Sequence, residues 1–111
     1  MGNVIDYLRG CVNKNLISIS EHAYDRMRTR CIDTESMRKC IKYGKVIEEQ
    51  RFPGEDLKVL FQEPTSNQPA FYVVLAMAHP FPGVVTVARF DDEDWEYVAG
   101  IMKRKIKSSV I

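Results

Sequence analysis

A chain of 111 residues, 45% apolar and 28% charged, has the composition of one globular domain: too short for two well-filled cores and too apolar to stay disordered. Its net charge of +1 hides an uneven distribution, with a basic stretch from His22 to Lys45, a more acidic one from Val46 to Glu63, five acids between Asp91 and Glu96, and four bases between Lys103 and Lys107. No apolar run approaches the roughly 18 residues of a membrane helix. The opening residues lack a basic segment leading into an apolar one, so the protein is expected to be cytoplasmic. Cys11, Cys31 and Cys40 form no CxxC pair and are expected to be buried free thiols.

The spacing of Val4, Ile5, Leu8, Cys11 and Val12 predicts a helix from about Val4 to Lys14, capped by Asn3. A short extended piece, Leu16 to Ile19, leads to a second helix. Ser20 caps it, Ile19 and Tyr24 occupy the positions of a hydrophobic staple, and Ala23, Tyr24, Met27 and Cys31 form its inward stripe. A third helix follows Asp33 or Thr34, buries Met37, Cys40 and Ile41, and is expected to end at a left-handed Gly44.

The period then changes to two. Lys45 to Gln50, Leu57 to Gln62, Ala70 to Ala78 and Val84 to Phe90 read as strands joined by connections short enough to favour antiparallel neighbours. The third is apolar on both faces and is expected to be central. A last helix is predicted from Asp91 or Asp92, facing inward with Trp95, Val98, Ala99, Met102 and Ile106; its acids at the start and bases at the end would complement the helix dipole. The expected fold class is α+β over residues 1–111 as one domain: N-terminal helices packed on an antiparallel sheet of about four strands, with a C-terminal helix.

Chemistry is best represented by His22, Arg26 and Arg30, four residues apart on the second helix and away from its inward stripe. One reading makes them a cationic ridge for phosphate groups, in which the dipole near the helix start favours a neutral His22 able to take a proton from a ribose hydroxyl. The other makes them a solvated flank paired with acids such as Glu21 and Asp25. Arg89 pairs with Asp91 or Glu93, or contacts phosphate. His79 lies on a surface loop or brings an acid to a cleft. Lys45 caps the carbonyls of the third helix. No phosphate loop, dinucleotide fingerprint, nucleophile elbow or metal-ligand cluster is present, and no metal or other cofactor is expected.

The run Ser20-Glu21-His22-Ala23 with Arg26 and Arg30, the helix closing on Gly44 before Val46-Ile47-Glu48-Glu49, and Phe52-Pro53-Gly54-Glu55 resemble the bacterial family catalogued as domain of unknown function 4258. Phe71 to Ala78 and Val84 to Arg89, leading to Asp91 and Trp95, continue the likeness, which spans about 17–95 and leaves the helix at 4–14 as an addition. The resemblance implies the architecture of the RelE and ParE toxins, with His22, Arg26 and Arg30 as the characteristic polar positions. Where that family usually carries a tyrosine, this chain has Ala88. Two functions follow as expectations. The first is a non-catalytic module that binds nucleic acid or a protein partner such as a cognate antitoxin. The alternative is a toxin-like, metal-independent endoribonuclease acting on mRNA at the ribosome, with His22 as base, Arg26, Arg30 and Arg89 on the phosphate, and His79 or Tyr72 as acid.

Overall fold

In the computed structural model, which describes residues 3–106, three helices precede most of the strands. α1 (Val4–Asn13), α2 (Glu21–Thr29) and α3 (Thr34–Tyr43) start at Asn3, Ser20 and Asp33. Their side-chain oxygens accept from the backbone N–H of Asp6, Ala23 and Ser36, satisfying donors that a helix start leaves free. The bond from Ser36 holds the Asp33 carboxyl below its ordinary range.

The helix ends depart from expectation. Gly44 has an extended backbone with φ −71°, whereas Asn15 and Cys31 are left-handed with φ 59° and 55°. Cys31 closes α2 as a Schellman motif: the Ile32 N–H donates to the Met27 carbonyl at 2.9 Å and the Cys31 N–H to that of Arg28 at 3.3 Å. Asn15 closes α1 in the same way. Glycine at 44 answers another demand, since a β-carbon there would lie 2.0 Å from the Gln62 carbonyl oxygen and 2.3 Å from that of Cys40. The expected cap by Lys45 is supplied instead by Arg9, which donates to the carbonyls of Ile41 and Gly44 at 2.9 and 2.6 Å.

β1 (Ser18–Ile19), β2 (Val46–Gln50), β3 (Lys58–Gln62), β4 (Phe71–Ala76) and β5 (Gly83–Arg89) form one sheet in the order β1-β5-β4-β3-β2. β2 to β5 are antiparallel, as expected, and β4 is central. The sheet gains a fifth strand because the extended piece at Ser18–Ile19 pairs in parallel with Gly83 and Val84. Alternation divides the faces. Val59, Phe61, Val73, Leu75 and Val87 pack with Leu8, Val12, Ala23, Met27, Met37 and Ile41 under the helices. Leu60 and Val74 face the other way.

The predicted C-terminal helix is a β-hairpin. β6 (Trp95–Val98) and β7 (Ile101–Arg104) turn through Ala99 and Gly100, with φ 51° and 85°. Two central residues with positive φ make the tight turn whose twist suits a two-residue hairpin. The hairpin buries Trp95 and Met102 against Leu60 and Val74, while Ile106, expected to face inward, is 97% exposed. The acidic and basic runs therefore do not serve a helix dipole; Glu96 stands across from Lys103 in the hairpin register. Lys107 lies outside the described residues. Two smaller expectations also fail: Tyr24 is 50% exposed and does not belong to the inward stripe of α2, and Cys31 is exposed, whereas Cys11 and Cys40 are buried.

Candidate functional site

Ser20 fastens the start of α2 to the outer border of β5. Its N–H donates to the Val84 carbonyl, and its hydroxyl both accepts from Ala23 and donates to the Val85 carbonyl at 3.2 Å. β1 pairs with the first residues of β5; the remainder of that border has no strand partner among the described residues, and α2 packs along it. The buried Ala23 and Met27 turn His22 and Arg26 to solvent. The Arg26 Nε–H donates toward His22 Nε2 at 3.4 Å, an arrangement that requires a lone pair on that nitrogen.

Arg30 is the half-buried cap at the end of α2. Its Nη1 donates to the Val87 carbonyl at 3.2 Å, on the β5 border. Arg89, at the end of β5, is exposed and donates from Nη2 to the Arg30 carbonyl at 2.5 Å. The structure thus brings Arg89, a sequence candidate for the same phosphate, onto the flank formed by His22, Arg26 and Arg30, across a gap of 59 residues. Among the described residues none of Arg26, Arg30 and Arg89 has a carboxylate partner; Asp25 pairs with Arg28 instead, at 2.8 Å. Neither the expected pairing of Arg89 with Asp91 or Glu93 nor that of the ridge with Glu21 or Asp25 is found.

His79 and Tyr72 do not join this flank. His79 is exposed in the loop before β5, where Pro80 and Phe81 border a groove with Tyr7, Cys11 and Leu16 of the α1 region. Tyr72 lies on the hairpin face, with its ring 4.9 Å from Phe90 and 5.3 Å from Trp95. Burial pushes its hydroxyl above the ordinary range; Arg104 opposes the rise, Asp91 and Glu48 add to it, and Arg30 opposes it. Arg104 also covers the Trp95 ring at 4.3 Å and donates to both Glu48 oxygens at 2.9 Å. Those bonds hold the Glu48 carboxyl below its usual range. Trp95 and Arg104 were not among the sequence candidates, because a helix over 91–106 would not have brought them to Tyr72.

An open groove of about 490 Å³ lies between Ser18, Ser20, Glu55, Lys58 and Gly83. Lys58 and Glu55 pair within it at 3.0 Å, so it repeats neither the charge nor the residues of the α2 flank apart from Ser20. Among the described residues no group of histidines, cysteines and carboxylates could hold a metal ion, and no helix is long and apolar enough to cross a membrane.

A family model matches residues 19–111, from the last residue of β1 through α2, α3, the sheet and the hairpin. The chain belongs to the family described as domain of unknown function (DUF4258). α1 lies outside the matched region, and the cationic flank lies wholly inside it. Comparison with curated proteins and with solved structures returns no match.

Proposed function

We propose that this protein binds nucleic acid along the α2–β5 border, holding phosphate oxygens with Arg26, Arg30 and Arg89 and using His22 as a further hydrogen-bonding group, without cleaving the bound strand. The observation that carries this reading is the gathering of three guanidinium groups, none paired with a carboxylate among the described residues, on a border that no described strand covers beyond its first residues. Arg30 and Arg89 each spend one N–H on a backbone carbonyl, which orients the fork and leaves further donors for phosphate. Binding without cleavage is favoured because His79, the other histidine of the chain, stands away from the flank, in the loop that borders the α1 region.

The toxin-like endoribonuclease is the second reading. The Arg26–His22 contact favours it, since a histidine held among arginines could act as base while they stabilise charge on a phosphate. This reading rests otherwise on the resemblance to the RelE and ParE toxins.

Binding of a labelled single-stranded oligonucleotide, followed by fluorescence anisotropy across a salt series, tests the proposal. Affinity is expected to fall with salt by about 0.7 in logarithmic slope for each phosphate contacted, and Arg26→Gln is expected to lower that slope by about one such step. Absence of binding, or an affinity indifferent to salt, overturns it. RNA cleavage that disappears in His22→Ala would replace it with the second reading.

A further inference from the structure

The hairpin face of the sheet carries a feature that phosphate binding does not use. Tyr72 on β4 stands directly across from Ala88 on β5, a pair whose β-carbons lie about 5 Å apart in such a ladder. Thr86 and Phe90, two residues to either side of Ala88, point to the same face. Ala88 ends at its β-carbon, so by this register it is the low point, here called the notch, between Tyr72 across the ladder, Phe90 beyond and Thr86 before. All four residues are half-buried and not sealed. The remaining side of the notch is the β5 border, where Arg30 reaches the Val87 carbonyl. Arg30 is close enough to act electrostatically on the Tyr72 hydroxyl. Trp95 holds Tyr72 and Phe90 from behind, 5.3 and 5.0 Å from their rings, so the walls are braced before anything enters.

A flat aromatic guest suits an aromatic wall over a small floor, and a cation at the mouth suits a guest that carries a negative group beside its ring. We propose that the notch over Ala88 takes one unpaired base of a single-stranded nucleic acid, stacked on Tyr72 and Phe90, with the adjoining phosphate on Arg30. This deepens the reading of the α2–β5 border as a phosphate site and rests on it. Bases paired within a duplex cannot enter, so single strands are preferred.

The test compares, on the full chain, a fluorescein-labelled oligoadenylate with an abasic ribose-phosphate oligomer of the same length. Both carry the phosphates, and only one carries bases. Wild-type protein is expected to bind the oligoadenylate about tenfold more tightly. Ala88→Leu, which fills the notch, and Tyr72→Leu, which removes its wall, are expected to bring that affinity down to the abasic level while the abasic affinity stays unchanged; Tyr72→Phe is expected to keep the preference. Oligodeoxyadenylate is expected to show a like gain, because the notch holds the base and not the sugar. Equal binding of base-bearing and abasic probes by wild type overturns the assignment, as does a gain confined to ribose. An Ala88→Leu protein of native circular dichroism that retains the preference also overturns it. Binding of both probes without preference leaves the phosphate reading standing alone, whereas binding of neither removes that reading as well. The wild-type comparison decides the matter even where a variant folds poorly.

Discussion

The two faces of the sheet are covered by different physical means. Under the helices, residues of α1, α2 and α3 meet β3, β4 and β5 in one continuous apolar cluster. Over the opposite face the hairpin buries only Trp95 and Met102 with Leu60 and Val74, and polar groups complete its attachment. Gln62, the buried polar side chain of the core, donates to the Gly100 carbonyl and accepts from the Met102 N–H, both at 2.9 Å. Glu48 and Arg104 add an ion pair that also covers Trp95. The lesson is that the helical face is held by area and the hairpin by a few directional contacts, so the two are expected to fail differently.

The largest expected effect tests the helical side. Phe61→Ala empties the centre of that cluster and is expected to cost about 3–5 kcal/mol, with one cooperative loss of the whole fold in chemical denaturation. Gln62→Leu is expected to cost about 1–3 kcal/mol by leaving the buried Met102 N–H and the half-buried Gly100 carbonyl unpaired. Amide exchange is expected to rise over β6 and β7 ahead of β4; equal acceleration in both would erase the contrast between the faces.

Each face also carries a left-handed residue with a β-carbon, Cys31 and Ala99. Glycine at either is expected to gain about 1 kcal/mol. The gain should raise the melting temperature of the whole molecule for Cys31→Gly, and slow exchange chiefly in the hairpin for Ala99→Gly. The smallest effect is electrostatic. The Glu48 carboxyl titrates below its ordinary value of 4.5 in the folded protein, so the folded state binds fewer protons there than the unfolded chain. Its contribution, about 0.5 kcal/mol for a partly exposed pair, is fully present above the unfolded value and is lost as the pH falls through the folded one. Glu48→Gln should flatten that part of a stability curve measured between pH 3 and about 6.

The same contrast explains what could be read from the sequence. Asn3, Ser20 and Asp33 each mark a helix start through local hydrogen bonds, and β4 declares its central place by being apolar at Val73, Val74 and Leu75. The hairpin escapes because each of its strands buries one residue, which leaves no period of two to detect, while its acids and bases imitate a dipole-matched helix. Gly100 in the middle of that supposed helix was the available warning. At the candidate site the four-residue spacing of His22, Arg26 and Arg30 was legible. Arg89 was expected beside them only within the endoribonuclease reading, and the contact that holds it there, with the Arg30 carbonyl, was not legible because it depends on α2 packing along β5, between segments 59 residues apart.

Ser20 and Arg30 have a consequence for how one molecule meets another. Their donors occupy the Val85 and Val87 carbonyls, the outward acceptors an incoming chain would need to zip onto the sheet. The guanidinium offered to an anionic ligand is therefore also a stopper against self-association. Replacing Arg30 should show itself in turbidity and light scattering as well as in a titration, and a protein that clumps after that change has lost a gatekeeper.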